Sequence, residues 1–185
     1  ILEARGNRAG AVLFSGKIDR TIPSRGGRRQ LLQILSSVAS HRPSPGATDL
    51  RQILTEASAA IRRRSLVFIV SDFITSPGWE KVLNLLAARH DVVAVRLTDP
   101  LETRLPDLGF LTFQDAESGE QLFVDTHNRQ FQARFAAAAD ARDEVLRAIF
   151  EKAGVDVLEL ATEDDVMDAL LRFAEMRKQS LRRSA

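Results

Sequence analysis

The segment 66–72, Leu-Val-Phe-Ile-Val-Ser-Asp, constrains the fold of this chain more than any other feature. Its apolar, largely β-branched residues run without interruption into Ser71 and Asp72. Such a run is typical of a strand in a parallel sheet, because helices cover both faces of that sheet. In open α/β sheets, ligands bind outside the carboxyl ends of the strands. The segment therefore predicts a buried strand that places the Asp72 carboxylate at the functional edge of a sheet.

Strand and helix patterns alternate along the rest of the chain. Further strands are predicted at 9–15, 91–97 and 155–160, with 17–23 as a hairpin partner of the first, and helices at 31–38, 48–64, 79–90, 128–153 and 163–177. Residues 110–113 and 121–124 flank a polar turn and predict one inserted β-hairpin near 110–124. We therefore expect an α/β fold with a doubly wound, mostly parallel sheet and helices on both faces.

Length, charge and composition limit the possible classes of protein. The 185 residues are enough for one domain, so we expect 1–185 to form a single unit. A net charge of +1 gives no strong electrostatic attraction to nucleic acid or to an anionic membrane. The absence of cysteine excludes disulfides and thiolate chemistry and fits a cytoplasmic location. No apolar run approaches the roughly 20 residues that cross a bilayer. Because the chain opens with Ile-Leu-Glu-Ala rather than Met, we expect an N-terminal truncation.

Thr48 and Asp72 are candidate metal ligands. Gly-Ala-Thr-Asp at 46–49 precedes a helical pattern, and Asp72 follows the strand. A hydroxyl and a carboxylate on adjacent loops can bind a hard cation such as Mg²⁺ through oxygen. In the alternative interpretation, Thr48 only caps the following helix and Asp72 only caps the next turn. The pattern leaves both interpretations open.

Several motifs together resemble a bacterial domain-of-unknown-function family, number 58. They are residues 62–73, 89–95, Asp99-Pro100, 105–107 and 124–126, together with Pro23, Arg25-Gly26-Gly27 and 46–49. The resemblance covers essentially the whole chain. The resemblance implies a von Willebrand factor A-like fold and association with a MoxR-type AAA+ ATPase.

The same resemblance implies a metal-ion-dependent adhesion site. That site combines an Asp-x-Ser-x-Ser loop, a threonine and an aspartate around a divalent cation, and Thr48 and Asp72 match the second and third positions. No Asp-x-Ser-x-Ser motif occurs in the sequence. We therefore expect a degenerate or incomplete site, which would bind Mg²⁺ only if the missing N-terminal loop is present.

The leading functional hypothesis is a non-enzymatic protein-interaction module whose partner is a MoxR-type ATPase. The predicted partner-binding rim consists of loop residues on a rigid scaffold. They are Arg25, Gly26, Gly27, Asp49, Phe73 and Asp99. The alternative is a Mg²⁺-dependent phosphoryl-transfer or hydrolase enzyme with Asp72 as its nucleophile. Nucleic-acid binding through 25–29 and the basic C-terminal end is a weaker hypothesis.

A homodimer is a further expectation from the resemblance. In A-type folds the first strand lies between the strands that match 9–15 and 66–71 here. Without it, those two strands either pair directly or accept a strand from a second copy, because open apolar edges recruit other chains.

Overall fold

The computed structural model describes residues 7–42, 48–114 and 121–183. The strands are β1 (Arg8–Phe14), β2 (Ile18–Gly26), β3 (Leu66–Ser71), β4 (Asp91–Thr98), β5 (Phe110–Gln114), β6 (Gln121–Asp125) and β7 (Asp156–Ala161). The helices are α1 (Arg28–Ala39), α2 (Leu50–Ala60), α3 (Glu80–Arg89), α4 (Arg129–Ala153) and α5 (Val166–Arg183). The predicted Gly46-Ala47 loop and the turn of the inserted hairpin lie outside the described residues.

A parallel three-stranded sheet with β4 at its centre forms the middle of the fold. β3 pairs with β4 from Leu66–Asp91 to Ser71–Arg96, and β4 pairs with β7 from Val93–Asp156 to Thr98–Ala161. Because the strands are parallel, their carboxyl ends meet at one edge of the sheet. The predicted α/β fold with a parallel sheet is confirmed.

Helices cover both faces of this sheet. Side chains alternate along β4, so that Val92 and Ala94 point to one face and Val93 and Val95 to the other. On the first face, α2, α3 and α4 contribute Leu54, Leu83, Leu86, Leu146 and Phe150. On the second face, α5 contributes Ala169 and Phe173. The two cores stabilise the central strand from both sides.

Two antiparallel hairpins pair separately from this sheet. β1 pairs with β2, and β5 pairs with β6, which confirms both predicted hairpins. Within the described residues, neither hairpin hydrogen-bonds to the parallel sheet, whose two faces are covered by helices as predicted. The direct pairing of β1 with β3, one of the two predicted outcomes, is likewise not observed.

Several predicted boundaries need correction. Arg25 and Gly26 belong to β2 rather than to a loop, and Gly27 adopts a φ of 89° immediately before α1. The side chain of Asp49, not that of Thr48, caps α2 by accepting the N–H of Gln52. Carboxylates and hydroxyls both serve as caps, so residue type alone does not decide between neighbours.

A buried cation ties β4 to its surroundings. Arg96 is buried and its guanidinium donates to Asp143 of α4 at 2.5 Å and to Glu159 of β7 at 3.3 Å. Burying a charge costs desolvation free energy unless the charge is paired. Removing one partner of the pair leaves that cost uncompensated. The network therefore fixes α4 against the sheet.

A second ion-pair network anchors α5 at the opposite end of the strands. Arg177 donates from Nε to Asp156 at 2.6 Å and from a terminal nitrogen to Asp91 at 2.5 Å. Burial alone would lower the pKa of Arg177, but the hydrogen bonds and charges of the two aspartates hold that pKa above its usual range. The guanidinium therefore clamps the starts of β4 and β7 to α5.

Candidate functional site

Asp72 lies in a tight turn directly after β3. Its Oδ1 accepts the N–H of Ile74 at 3.0 Å, and the hydroxyl of Ser71 accepts the N–H of Phe73 at 3.1 Å. The side chain of Asp72 is exposed, as expected for a carboxylate at the carboxyl end of a strand. The backbone of the turn therefore points this carboxylate into solvent at the predicted edge.

Phe73 holds the turn in an unusual conformation. Its φ is 59°, in the left-handed region that bulky residues rarely adopt, at a cost of about 1–3 kcal/mol. The ring is only 3% exposed, and its centroid lies 5.0 Å from that of Phe150 and 5.6 Å from that of Trp79. Burial of the ring compensates for the strain. Phe73 was predicted to be part of the binding rim, but the structure makes it the anchor beneath that rim.

Thr48 connects three loops at the same edge. Its hydroxyl donates to the carbonyl of Ser15 at 3.2 Å, and its own carbonyl accepts the hydroxyl of Thr75 at 2.5 Å. Thr75 also accepts the N–H of Leu50, the first residue of α2. These bonds join the end of β1, the start of α2 and the loop after β3. Thr48 and Asp72 therefore lie on adjoining loops, as the sequence predicts.

Asp99 extends this edge toward β7. Its Oδ1 accepts the N–H of Leu101 at 2.9 Å, and Thr162 donates to its Oδ2 at 3.3 Å. β3, β4 and β7 are consecutive in the sheet, so Asp72, Asp99 and Thr162 follow three neighbouring strands. We call Thr48, Asp72, Asp99 and Thr162 the polar edge. Asp49 lies beside it as the cap of α2.

The predicted rim residues Arg25, Gly26 and Gly27 do not lie at the polar edge. β2 is antiparallel to β1, and Gly26 pairs with Arg8 at the start of β1, whereas Ser15 follows its end. A strand rises about 3.3 Å per residue, so the length of β1 separates these glycines from Thr48. The sequence grouped these residues because it could not show the direction of β2.

A polar cluster beside Thr48 was missed by the sequence analysis. Ser15 donates its hydroxyl to Oδ2 of Asp19 at 2.7 Å, and Nε2 of His41 lies 3.3 Å from the same oxygen. The carboxylate lies between the hydroxyl and the imidazole. A catalytic triad needs the imidazole between them, so this order does not activate Ser15. The polar residues of the β1–β2 turn were the available signal for this cluster.

The predicted metal ligands lie at the polar edge. Mg²⁺ requires near-octahedral oxygen coordination, and the two ligands predicted for it are the Thr48 hydroxyl and the Asp72 carboxylate. No group of three or more His, Cys, Asp or Glu residues that could hold a metal occurs within 7–42, 48–114 and 121–183. Thr48 and Asp72 lie on adjoining loops, and the Thr48 hydroxyl donates to the carbonyl of Ser15.

Comparison with known proteins places the chain in a family. The sequence model of the family described as "Protein of unknown function DUF58" matches residues 1–145. The chain belongs to the DUF58 family. The chain is similar to the uncharacterized proteins Rv1480 of Mycobacterium tuberculosis and Mb1516 of Mycobacterium bovis. It is 34% identical to each of them over 178 residues. The match covers 94% of this chain and 55% of each relative, so the chain spans about half the length of those DUF58 relatives.

A shorter mycobacterial relative is covered more completely. The uncharacterized protein MAV169 of Mycobacterium avium is 33% identical over 162 residues, which cover 85% of this chain and 94% of that protein. Identity of this degree over nearly the full relative agrees with membership of the DUF58 family.

Two solved structures share the fold. BatB from Bacteroides thetaiotaomicron has a TM-score of 0.53 and 14% identity, with 96% of this chain and 82% of that chain covered. An aerotolerance-related membrane protein from Bacteroides fragilis has a TM-score of 0.52 and 13% identity, with 94% and 81% covered. At this identity the likeness extends to the fold alone. Among the described residues of this DUF58 chain, none of the helices combines the length and apolarity needed to span a bilayer.

Proposed function

We propose that this DUF58 chain is a non-enzymatic protein-interaction module and that the polar edge binds its partner. The observation that supports this proposal is the exposed Asp72 carboxylate on a turn anchored by the buried ring of Phe73. A charged group on a rigid turn loses little conformational entropy when it binds. Such a turn suits recognition of a cationic group on another protein.

The contacts of Asp72 favour recognition over catalysis. Its carboxylate accepts a hydrogen bond from the N–H of Ile74. It also accepts a longer one from the hydroxyl of Ser71, at 3.4 Å. These donors orient the carboxylate, whereas a general base or nucleophile gains from a neighbour that raises its reactivity. Asp72 is thus suited to form an ion pair.

The proposed partner is a MoxR-type AAA+ ATPase. Membership of DUF58 and the fold shared with BatB are compatible with a von Willebrand factor A-like adaptor, and the choice of partner rests on the family resemblance. Asp72, Asp99 and the nearby Asp49 give this side of the molecule acidic groups that complement a basic surface. In this proposal the adhesion site is degenerate, and the carboxylates themselves contact the partner.

Affinity measurements with a purified MoxR-type ATPase test the proposal. Asp72→Asn should weaken binding about tenfold, or about 1.4 kcal/mol, because it removes one charge from a rigid contact. Asp140→Asn is the matched control, since Asp140 is an exposed aspartate on α4 and lies outside the polar edge. Equal losses for the two variants would contradict the proposed surface.

A hydrolysis assay separates the module from an enzyme. With p-nitrophenyl phosphate and Mg²⁺, the wild-type chain and Asp72→Asn should both remain at the background rate. Turnover that disappears in Asp72→Asn would overturn the non-enzymatic part of the proposal, whatever the binding result.

A further inference from the structure

A pocket lies at the end of the sheet opposite the polar edge. The helices α2 and α3 end there, and the strands β3 and β4 begin there. The pocket has a volume of about 440 Å³, which is within the range of sites that hold small molecules. The described residues that line it include three arginines and no acidic residue. We call it the basic pocket, and its polar lining consists of Ser58, Arg62, Arg64, Arg89 and His90.

The three arginines of the basic pocket are available to a ligand. Their side chains are exposed, and within the described part of the chain none of them forms an ion pair or a side-chain hydrogen bond. Arg62 and Arg64 follow α2 rather than belonging to its last turn, so they are not placed there to complement its dipole. The neighbouring carboxylate of Asp91 is already bound by Arg177. Because like charges around one pocket repel each other, an anion bound among these arginines removes an unfavourable interaction.

His90 is a second and independent indication of a ligand. It follows the last residue of α3, is only 7% exposed and lines the same pocket. Its Nδ1 is buried, and no group among the described residues forms a hydrogen bond with that atom. Native proteins rarely leave a buried polar atom without a partner, because its desolvation is then uncompensated. A buried imidazole beside three unpaired guanidinium groups is accounted for if the pocket holds a polar ligand.

We propose that the basic pocket binds a soluble compound that carries phosphate groups. Planar guanidinium groups bind phosphate oxygens through paired hydrogen bonds, and the hydroxyl of Ser58 and the imidazole of His90 can add single ones. A phosphate group carries a charge of about −1.5 to −2 at neutral pH, so three arginines match a diphosphate better than a single carboxylate. The net charge of the chain is only +1, so the attraction is local to this pocket and does not extend to an anionic membrane.

The basic pocket is separate from the proposed partner-binding surface. Asp91 and Leu66 are the first residues of β4 and β3 and pair with each other beside the pocket, whereas Asp72 and Asp99 follow the other ends of these strands. The whole length of the parallel strands therefore separates the two sites. Phosphate binding does not depend on a MoxR partner and is tested without one.

Calorimetry with inorganic pyrophosphate as the probe tests the proposal. In magnesium-free buffer at low salt, the wild-type chain should bind pyrophosphate with a Kd below about 1 mM. Arg64→Gln and Arg89→Gln should each raise the Kd about tenfold, because each removes a charged donor from the pocket. Arg172→Gln is the matched control, since Arg172 is an exposed arginine on α5 that does not line the pocket. Undetectable binding by the wild type, or equal losses in all three variants, would overturn the proposal.

Thermal unfolding gives a second measurement on the same proteins. Saturating pyrophosphate should raise the Tm of the wild type but not that of the Arg64→Gln, Arg89→Gln double variant, because a ligand stabilises only the folded state that binds it. Circular dichroism confirms that each variant is folded. A glutamate-rich peptide, or vesicles that contain phosphatidic acid, binding more tightly than pyrophosphate would refute the assignment to a soluble phosphate compound.

Discussion

The strands β3 and β4 are similar in sequence and lie side by side, yet their environments differ. Both are apolar runs that end near an aspartate, Asp72 in one case and Asp99 in the other. β4 has a paired strand on each side and helices on both faces, so its central residues are buried. β3 buries Ile69 on one face and exposes the other. An apolar run therefore predicts a strand of a sheet, but not its position in that sheet.

The largest expected effect comes from placing the same charge on each of these strands. Val93→Lys should lower the free energy of unfolding by more than about 4 kcal/mol, because it buries an unpaired ammonium group. Phe68→Lys, at the register-matched position of β3, should change it by less than about 1 kcal/mol. Urea unfolding at low protein concentration measures both variants without a contribution from self-association. Similar losses would show that the edge of β3 is covered.

An intermediate effect concerns the buried cation of β4, which has no counterpart on β3. Asp143→Ala should destabilise the protein by about 3 kcal/mol, because it leaves Arg96 buried without its short partner. Arg96→Met should cost less, since it removes the charge and leaves the more exposed carboxylates in contact with water. Thermal unfolding gives this ranking. The reverse order would show that the loss in Asp143→Ala does not come from an unpaired guanidinium.

The smallest expected effect concerns the clamp at the start of β4. Arg177→Met should cost about 1–2 kcal/mol, since its carboxylate partners remain half exposed. The pKa of Arg177 is raised, so the stabilisation is present below the unfolded-state value and is lost only as the pH rises through the folded-state value. Both values are strongly alkaline. The difference from wild type should therefore be constant between about pH 6 and pH 9, and a clear slope in denaturation profiles over that range would contradict this assignment.

The candidate site shows the same limits of sequence reasoning as the sheet. Thr48, Asp72 and Asp99 were predictable as edge residues because each lies next to a recognisable strand or helix boundary. The contacts of Ser15 and Thr75 with Thr48 were not predictable, because they join segments far apart in the chain. Phe73 was placed on the surface by its position in a loop, but the ring points into the core.

Local composition and spacing were sufficient to predict the α/β class, the strand that leads into Asp72, both hairpins and the long helix that ends at Ala153. These features depend on apolar periodicity and on backbone preferences, which act between near neighbours. The tertiary structure alone decided that β3 is the outer strand of the sheet within the described residues, that Gly26 lies far from Thr48, and that Arg96 is buried with Asp143. Strand order and direction arise from pairing between distant segments, and no local pattern in the sequence encodes which segments meet.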